Sequence, residues 1–212
     1  APLVYVANPD NPMGTWHEDG AIEEMIAALP DGAVLCLDEA YIECAPAGTA
    51  PPIDVREQRV IRMRTFSKAY GLAGMRVGYA IGHESLIAAF DKVRDHFGVN
   101  RLAHVAALAA LDDGAWLQET VAKIRAACDR IAAIARSNGL TPLPTATNFV
   151  AIDTGRDGAF AARLVDELAA HGVFIRKAFG PPQDRCIRVS AGLPEHLDLL
   201  ETALPKALAA LR

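Results

Sequence analysis

Clusters of basic residues are missing from this sequence. The formal net charge is −5 over 212 residues, so nothing in the charge pattern points to a nucleic acid. Long apolar runs are missing too. None reaches the ~18–20 residues that span a bilayer, and no membrane association is expected. No charged stretch followed by an apolar one opens the chain, so no secretory signal is expected. Cysteine is sparse and scattered (Cys36, Cys44, Cys128, Cys186), with no C-x-x-C; reduced thiols in a cytoplasmic protein are the expectation. The histidines (His17, His83, His96, His104, His171, His196) show no metal-ligand spacing and are read as surface or interface groups; no metal is expected. Gly71 and Gly74 do not form a dinucleotide fingerprint, because G-x-G-x-x-G after a strand is absent. Half of the residues are hydrophobic, enough for a real core.

What is present alternates between two periods. Leu3–Ala7, Ala33–Leu37, Val60–Met63 and Arg76–Ile81 read as buried strands, with a helix between the first two that stops at Pro30-Asp31-Gly32. Apolar strands separated by helices predict an α/β fold with a mostly parallel sheet. From His83 the pattern turns helical. Leu117, Val121, Ile124, Cys128, Ile131 and Ala135 make one stripe of a long amphipathic helix, stopped by Asn138-Gly139. A small α+β region comes after it: strands at Asn148–Ile152, Val173–Arg176 and Arg185–Ser190, and helices at about Ala159–His171 and Pro194–Leu211. The predicted division is 1–105 for a first domain and 106–212 for an interdomain helix and a small C-terminal domain.

Four segments carry chemistry: Asn8-Pro9-Asp10-Asn11-Pro12-Met13-Gly14, Asp38-Glu39-Ala40-Tyr41, Thr65 to Tyr79, and Cys186-Ile187-Arg188-Val189-Ser190. The first three lie at or beyond the C-terminal ends of predicted strands, the edge where open α/β sheets bind ligands. Lys68, near a hydroxyl and glycines, can form a Schiff base with an aldehyde. A carboxylate such as Asp38 can keep a pyridine nitrogen protonated and turn the ring into an electron sink. An arginine beside a serine can hold a phosphate. Tyr41 and Asn11 offer a phenol and an amide to a ring oxygen. Simpler fates compete at each position. Asp38 could be a helix cap, Asn8–Gly14 a mere turn, Arg188 and Arg176 structural ion pairs, Cys36 a small core residue, and Glu39 a supporting or solvent-facing group.

Together these segments resemble fold-type I aminotransferases that use pyridoxal 5'-phosphate, and most of all the histidinol-phosphate aminotransferase family. That family carries N-P-N-N-P-T-G, D-E-A-Y, T-F-S-K-x-x-G-L-A-G-x-R-x-G-Y and a late R-x-S. The similarity runs through almost the whole chain in order and spacing. It implies an aspartate-aminotransferase-like fold, a partial large domain followed by a small one. It implies that Lys68 carries the cofactor and shuttles a proton, and that Asp38 pairs with the pyridine nitrogen. Asn11 and Tyr41 would bind the ring's 3'-oxygen, and Thr65, Ser67 and Arg76 the phosphate. Arg188 would bind the carboxylate of the amino donor, with Arg176 a weaker candidate for substrate anions. The implied partners are a small-molecule amino donor, a keto acceptor and a second copy in a homodimer. Aromatic amino-acid aminotransferase and threonine-phosphate decarboxylase are alternatives within the class; a fragment that only folds or dimerises is the alternative outside it.

Asp10 and Met13 replace the family's Asn and Thr in the first motif. The family's N-terminal arm, phosphate-binding Gly-rich loop, ring-stacking aromatic and partner-subunit tyrosine lie upstream of residues like Leu3, so an N-terminal portion is expected to be missing. The resemblance then predicts a contiguous block of four strands, three parallel and the one at Arg76–Ile81 antiparallel. Its uncovered edges call for a completing polypeptide or an unusual oligomer, and a Lys68 site that is empty or poorly occupied.

Overall fold

Each strand of the first half ends where its apolar run meets a polar motif. The structure, a computed structural model, describes residues 2–211. The chain divides into two units, Ala1–Asp10 with Trp16–Val121, and Asn11–Thr15 with Ala122–Arg212.

In the first unit β1 (Leu3–Ala7), β2 (Val34–Asp38), β3 (Val60–Thr65) and β4 (Gly78–Gly82) form one sheet in the order β1-β2-β3-β4. The first three are parallel and β4 is antiparallel to β3, as the resemblance implied. Helix α1 (Asp19–Ala27) covers one face. Ile22 packs there on Leu35, Leu37 and Val60, with Val4 and Val6 at the margin. Alternation sends Leu3, Tyr5, Cys36 and Asp38 to the opposite face. That face is open in the described residues: Leu3 and Tyr5 are exposed and Cys36 is half-buried rather than a core residue. Helix α2 (Glu84–Phe90) succeeds β4, and α3 (Arg101–Asp112) comes next. Two alanines of α3, Ala103 and Ala107, are buried, whereas Leu102, Val105, Leu108 and Leu111 are exposed.

Helix α4 (Gly114–Ser137) begins in the first unit and continues in the second. Cys128, Ile131 and Ala135 of the expected stripe are buried. The helix ends on Gly139 at φ 74°, where the Leu140 N–H returns to the Ala135 carbonyl, a left-handed stop that glycine adopts without a Cβ clash. The second unit holds an antiparallel sheet in the order β5-β6-β8-β7. Its strands are β5 (Thr141–Pro142), β6 (Phe149–Asp153), β7 (Arg176–Lys177) and β8 (Cys186–Ser190). Helices α5 (Gly158–Ala170) and α6 (Pro194–Ala210) pack on one face, through Leu164, Leu168 and Leu204 against Val150, Ile152 and Ile187. Asp157 caps α5 by accepting the Phe160 N–H at 2.7 Å. The strand expected over Val173–Arg176 is shorter and later: only Arg176 and Lys177 pair with β8.

Candidate active site

Parallel register brings the first unit's polar motifs to one sheet edge. Ala7 lies beside Asp38, and Asp38 beside Met63, so the residues after β1, β2 and β3 leave the sheet together. Asn8 is buried with its polar groups engaged. Its amide donates to the Thr49 and His17 carbonyls at 2.9 and 3.1 Å, and its side-chain oxygen accepts the His17 N–H at 2.8 Å. The first asparagine of the opening motif therefore fixes the loop.

Asp38 closes β2 with both carboxylate oxygens occupied. Oδ1 accepts the Ala40 N–H at 2.9 Å and Oδ2 accepts the Tyr5 phenol. The Tyr5 hydroxyl is pushed up to about 12, first by that hydrogen bond, then by burial and by the negative charge of Asp38. Asp38 does not cap a helix; beyond it the chain turns and leads to Tyr41. Tyr41 is buried, and the Lys68 amine sits over its ring, 5.0 Å from the centroid.

Lys68 lies three residues beyond β3, in a turn closed by the Gly71 N–H on the Lys68 carbonyl and the Leu72 N–H on the Phe66 carbonyl, each at 2.9 Å. Phe66 anchors this turn by tilted contacts with Tyr70 and Tyr79, ring centroids 5.0 and 5.5 Å away. The backbone is thus held by aromatic packing while the Lys68 side chain is half-buried toward Tyr41. Thr65 accepts the Ser67 N–H at 3.0 Å. Arg76 is exposed and is the one non-glycine residue with positive φ among those described (φ 54°). Such a conformation costs energy in an L-residue and concentrates at functional positions. Its guanidinium donates to the Ala73 carbonyl at 2.8 Å. Asn100 steadies the same loop: it caps α3 through the Ala103 N–H and donates to the Met75 carbonyl. At Gly78, beside Thr65, a Cβ would meet the Arg64 carbonyl oxygen at 2.6 Å, so only glycine lets β4 approach this closely.

Glu39 is fully buried, which settles its reading as a supporting group and rules out the solvent-facing one. Its Oε1 accepts from Arg62 Nε at 2.9 Å and its Oε2 from Arg64 Nε at 2.9 Å, with Arg62 itself buried. This network, on the face away from Asp38, braces the start of the Asp38–Tyr41 turn. Glu43 is its counterpoint. Oε2 is buried without a hydrogen-bond partner, and burial raises its pKa, partly offset by its own backbone hydrogen bond and by Arg64. A carboxyl whose folded pKa is raised contributes most stability below the unfolded range and loses it as pH rises through the folded value. Glu43→Gln should therefore stabilise the chain at pH 7, with the gain vanishing toward acid pH. Glu39→Gln should destabilise by ~3–5 kcal/mol, because it breaks a buried pair and strands Arg62. Urea unfolding at two pH values checks both signs.

In the second unit Arg176 and Arg188 are directly opposite on paired strands. Like charges so placed repel, and an anion between them would remove the conflict. Arg188 spans the Phe149 ring, 4.9 Å away, and donates to Asn11 Oδ1 at 2.5 Å. Its Nε is buried without an acceptor, and no ion pair to Arg188 is found among the described residues, which removes the structural-ion-pair reading. Arg176 is exposed and lies over Phe174. Asn11, Pro12, Arg176, Lys177, Phe179 and Arg188 line a cavity of about 340 Å³. The residues predicted for the site therefore fall into two groups, Asp38, Tyr41, Thr65, Ser67, Lys68 and Arg76 in one unit, Asn11, Arg176 and Arg188 in the other. Tyr5 and the Glu39 pairs are additions that the motifs did not single out. Among the described residues no His, Cys, Asp or Glu cluster could hold a metal ion, and no helix is long and apolar enough to cross a membrane.

Beside this geometry, a lysine three residues beyond β3, an aspartate at the end of β2 and, in the second unit, a cavity lined by two arginines, stands the family match. Residues 1–203 match the family described as aminotransferase class I and II, and the chain belongs to that family. It is 40% identical to histidinol-phosphate aminotransferase 2 of Pseudomonas aeruginosa over 98% of this chain and 56% of that protein. It superposes with a TM-score of 0.98 on histidinol-phosphate aminotransferase from Sinorhizobium meliloti, solved in complex with pyridoxal-5'-phosphate. There the identity is 49%, covering 100% of this chain and 59% of that one. L-threonine-O-3-phosphate decarboxylase from Porphyromonas gingivalis shares the fold at 24% identity and a TM-score of 0.81, covering 98% of this chain and 64% of that one. The chain spans a little over half the length of the curated relatives it matches.

Proposed function

We propose that this chain is the cofactor-bearing part of a pyridoxal-phosphate-dependent aminotransferase. It would exchange an amino group between glutamate/2-oxoglutarate and histidinol phosphate/imidazole-acetol phosphate. The observation that carries the reading is the Lys68 amine over Tyr41, at the edge where Asp38 ends β2, in motifs that match the family in order and spacing.

The donor set fits the cofactor. Lys68 supplies an amine for its aldehyde, Asp38 a carboxylate for its ring nitrogen, and Tyr41 and Asn11 a phenol and an amide for its ring oxygen. Thr65, Ser67 and Arg76 supply hydroxyls and a guanidinium for its phosphate. When bound, pyridoxal phosphate supplies an electron sink for the electrons left by breaking a bond at the substrate's α-carbon. The Lys68 amine would take the α-proton and return it one position away. Arg188, with its unengaged Nε, would grip the donor's carboxylate, and Arg176 a second substrate anion. The partners proposed are small molecules and a second copy of the polypeptide, in the cytoplasm.

The test is a half-reaction. Incubated with pyridoxal phosphate and glutamate alone, the protein should release about one equivalent of 2-oxoglutarate per site, and histidinol phosphate alone should react likewise. Preference for tyrosine or phenylalanine would move the assignment to aromatic amino acids, and CO2 release from threonine phosphate to a decarboxylase. No reaction with any donor would leave a chain that only folds or associates.

Arg188→Lys should raise the KM for glutamate by ~10- to 100-fold, the worth of a charge-assisted bidentate contact, while pyridoxal phosphate affinity stays nearly constant. Equal losses for donor and cofactor would return Arg188 to a structural role.

A further inference from the structure

We infer that Tyr5 is a positioning residue for Asp38, holding its carboxylate in the orientation in which it meets the ring nitrogen of the cofactor. The inference rests on the function proposed above and adds a residue outside the motifs.

Tyr5 pairs in register with Cys36, and Ala7 with Asp38. In a parallel pair, register partners and their alternate neighbours share a face, so the phenol reaches along that face to the end of β2. There it donates to Oδ2, while the Ala40 N–H donates to Oδ1 at 2.9 Å. The carboxylate is held from two sides, by the neighbouring strand and by its own turn. Torsion about a terminal carboxylate bond is otherwise broad and nearly two-fold, so removing the phenol leaves one tether and a free rotor. The hydroxyl's elevation to about 12 comes first from the same contact, then from burial and from the negative charge of Asp38. Two independent donors on one carboxylate are what preorganisation of a charged group requires.

Tyr5→Phe, which keeps the ring and removes the hydroxyl, tests the role in two ways. Without cofactor, phenolate absorbance should show one phenol ionising at about pH 12; it should disappear in Tyr5→Phe and fall toward ~10 in Asp38→Ala. With pyridoxal phosphate, borohydride should fix the cofactor on Lys68 in both the parent and Tyr5→Phe. The variant should bind about tenfold more weakly and lose much of the visible circular dichroism of the bound chromophore, with an unchanged melting temperature. Equal affinity and equal dichroism would overturn the inference and leave the proposed function standing. A parent chain that fixes no cofactor on Lys68 would sink both. If Tyr5→Phe does not fold, the absence of any parent phenol titrating near pH 12 already overturns the inference, and one near pH 12 that Asp38→Ala lowers upholds it.

Discussion

Lys68→Ala should leave no pyridoxal phosphate that borohydride can fix to the chain, and should lower amino transfer by more than about 10⁴-fold. The argument is by position. The chain has five lysines. Lys92, Lys123 and Lys206 are exposed on or beside helices, and Lys177 donates to the Ala178 and Asp184 carbonyls in the second unit. Only Lys68 stands at the sheet edge beside Asp38 and Tyr41, its amine half-buried over an aromatic ring. No other amine is placed to replace it. The loss should therefore be of chemistry, with the melting temperature little changed, since the turn around Lys68 is held by Phe66 and by backbone hydrogen bonds. A cofactor still fixed at another lysine would show that the assignment is wrong.

Asp38→Asn should bind pyridoxal phosphate and turn over ~10²- to 10³-fold more slowly, the scale of removing one preorganised electrostatic partner. Asparagine can still accept the Ala40 N–H through its one oxygen, and its amide N–H can donate to the Tyr5 oxygen in place of the bond that Asp38 accepts there, so the local fold survives. What it removes is the negative charge that keeps a pyridine nitrogen protonated, and with it the electron sink. The variant separates charge from shape. Single-turnover release of 2-oxoglutarate from glutamate measures the effect, and a rate close to the parent's would make Asp38 a structural residue.

The parts of the molecule most legible in the sequence are those where apolar period and polar punctuation coincide. Leu3–Ala7 and Val34–Asp38 are apolar runs ended by motif residues, and their parallel pairing stems from the helix between them. The α4 stripe was readable because Cys128, Ile131 and Ala135 repeat at helical spacing. β5 was not, because two residues, Thr141 and Pro142, carry no period. The expected strand from Val173 was misplaced because its apolar character serves another end: Ile175 is buried, but Phe174 is 79% exposed and neither pairs with β8.

In the candidate site, Lys68, Asp38 and Tyr41 stand out in the sequence because they lie in the motifs that carry the family resemblance. Tyr5 was not, because its role depends on cross-strand register, which a single strand does not state. Glu39 was ambiguous for a related reason. Its neighbour Asp38 faces the open side, and only the structure shows that Glu39 turns the other way to meet Arg62 and Arg64. Arg188 looked equally suited to an ion pair or to a ligand. The register with Arg176 and the unpartnered Nε support the ligand reading proposed for it.

The central claim is that Lys68 is the residue that carries the cofactor. Reduction of the protein with borohydride in the presence of pyridoxal phosphate, followed by peptide mass spectrometry, tests it most directly. The account predicts that whatever pyridoxyl-phosphate adduct forms lies on the peptide containing Phe66-Ser67-Lys68-Ala69-Tyr70 and is lost in Lys68→Ala. An adduct spread over Lys92, Lys123, Lys177 and Lys206, or unchanged in Lys68→Ala, would contradict it.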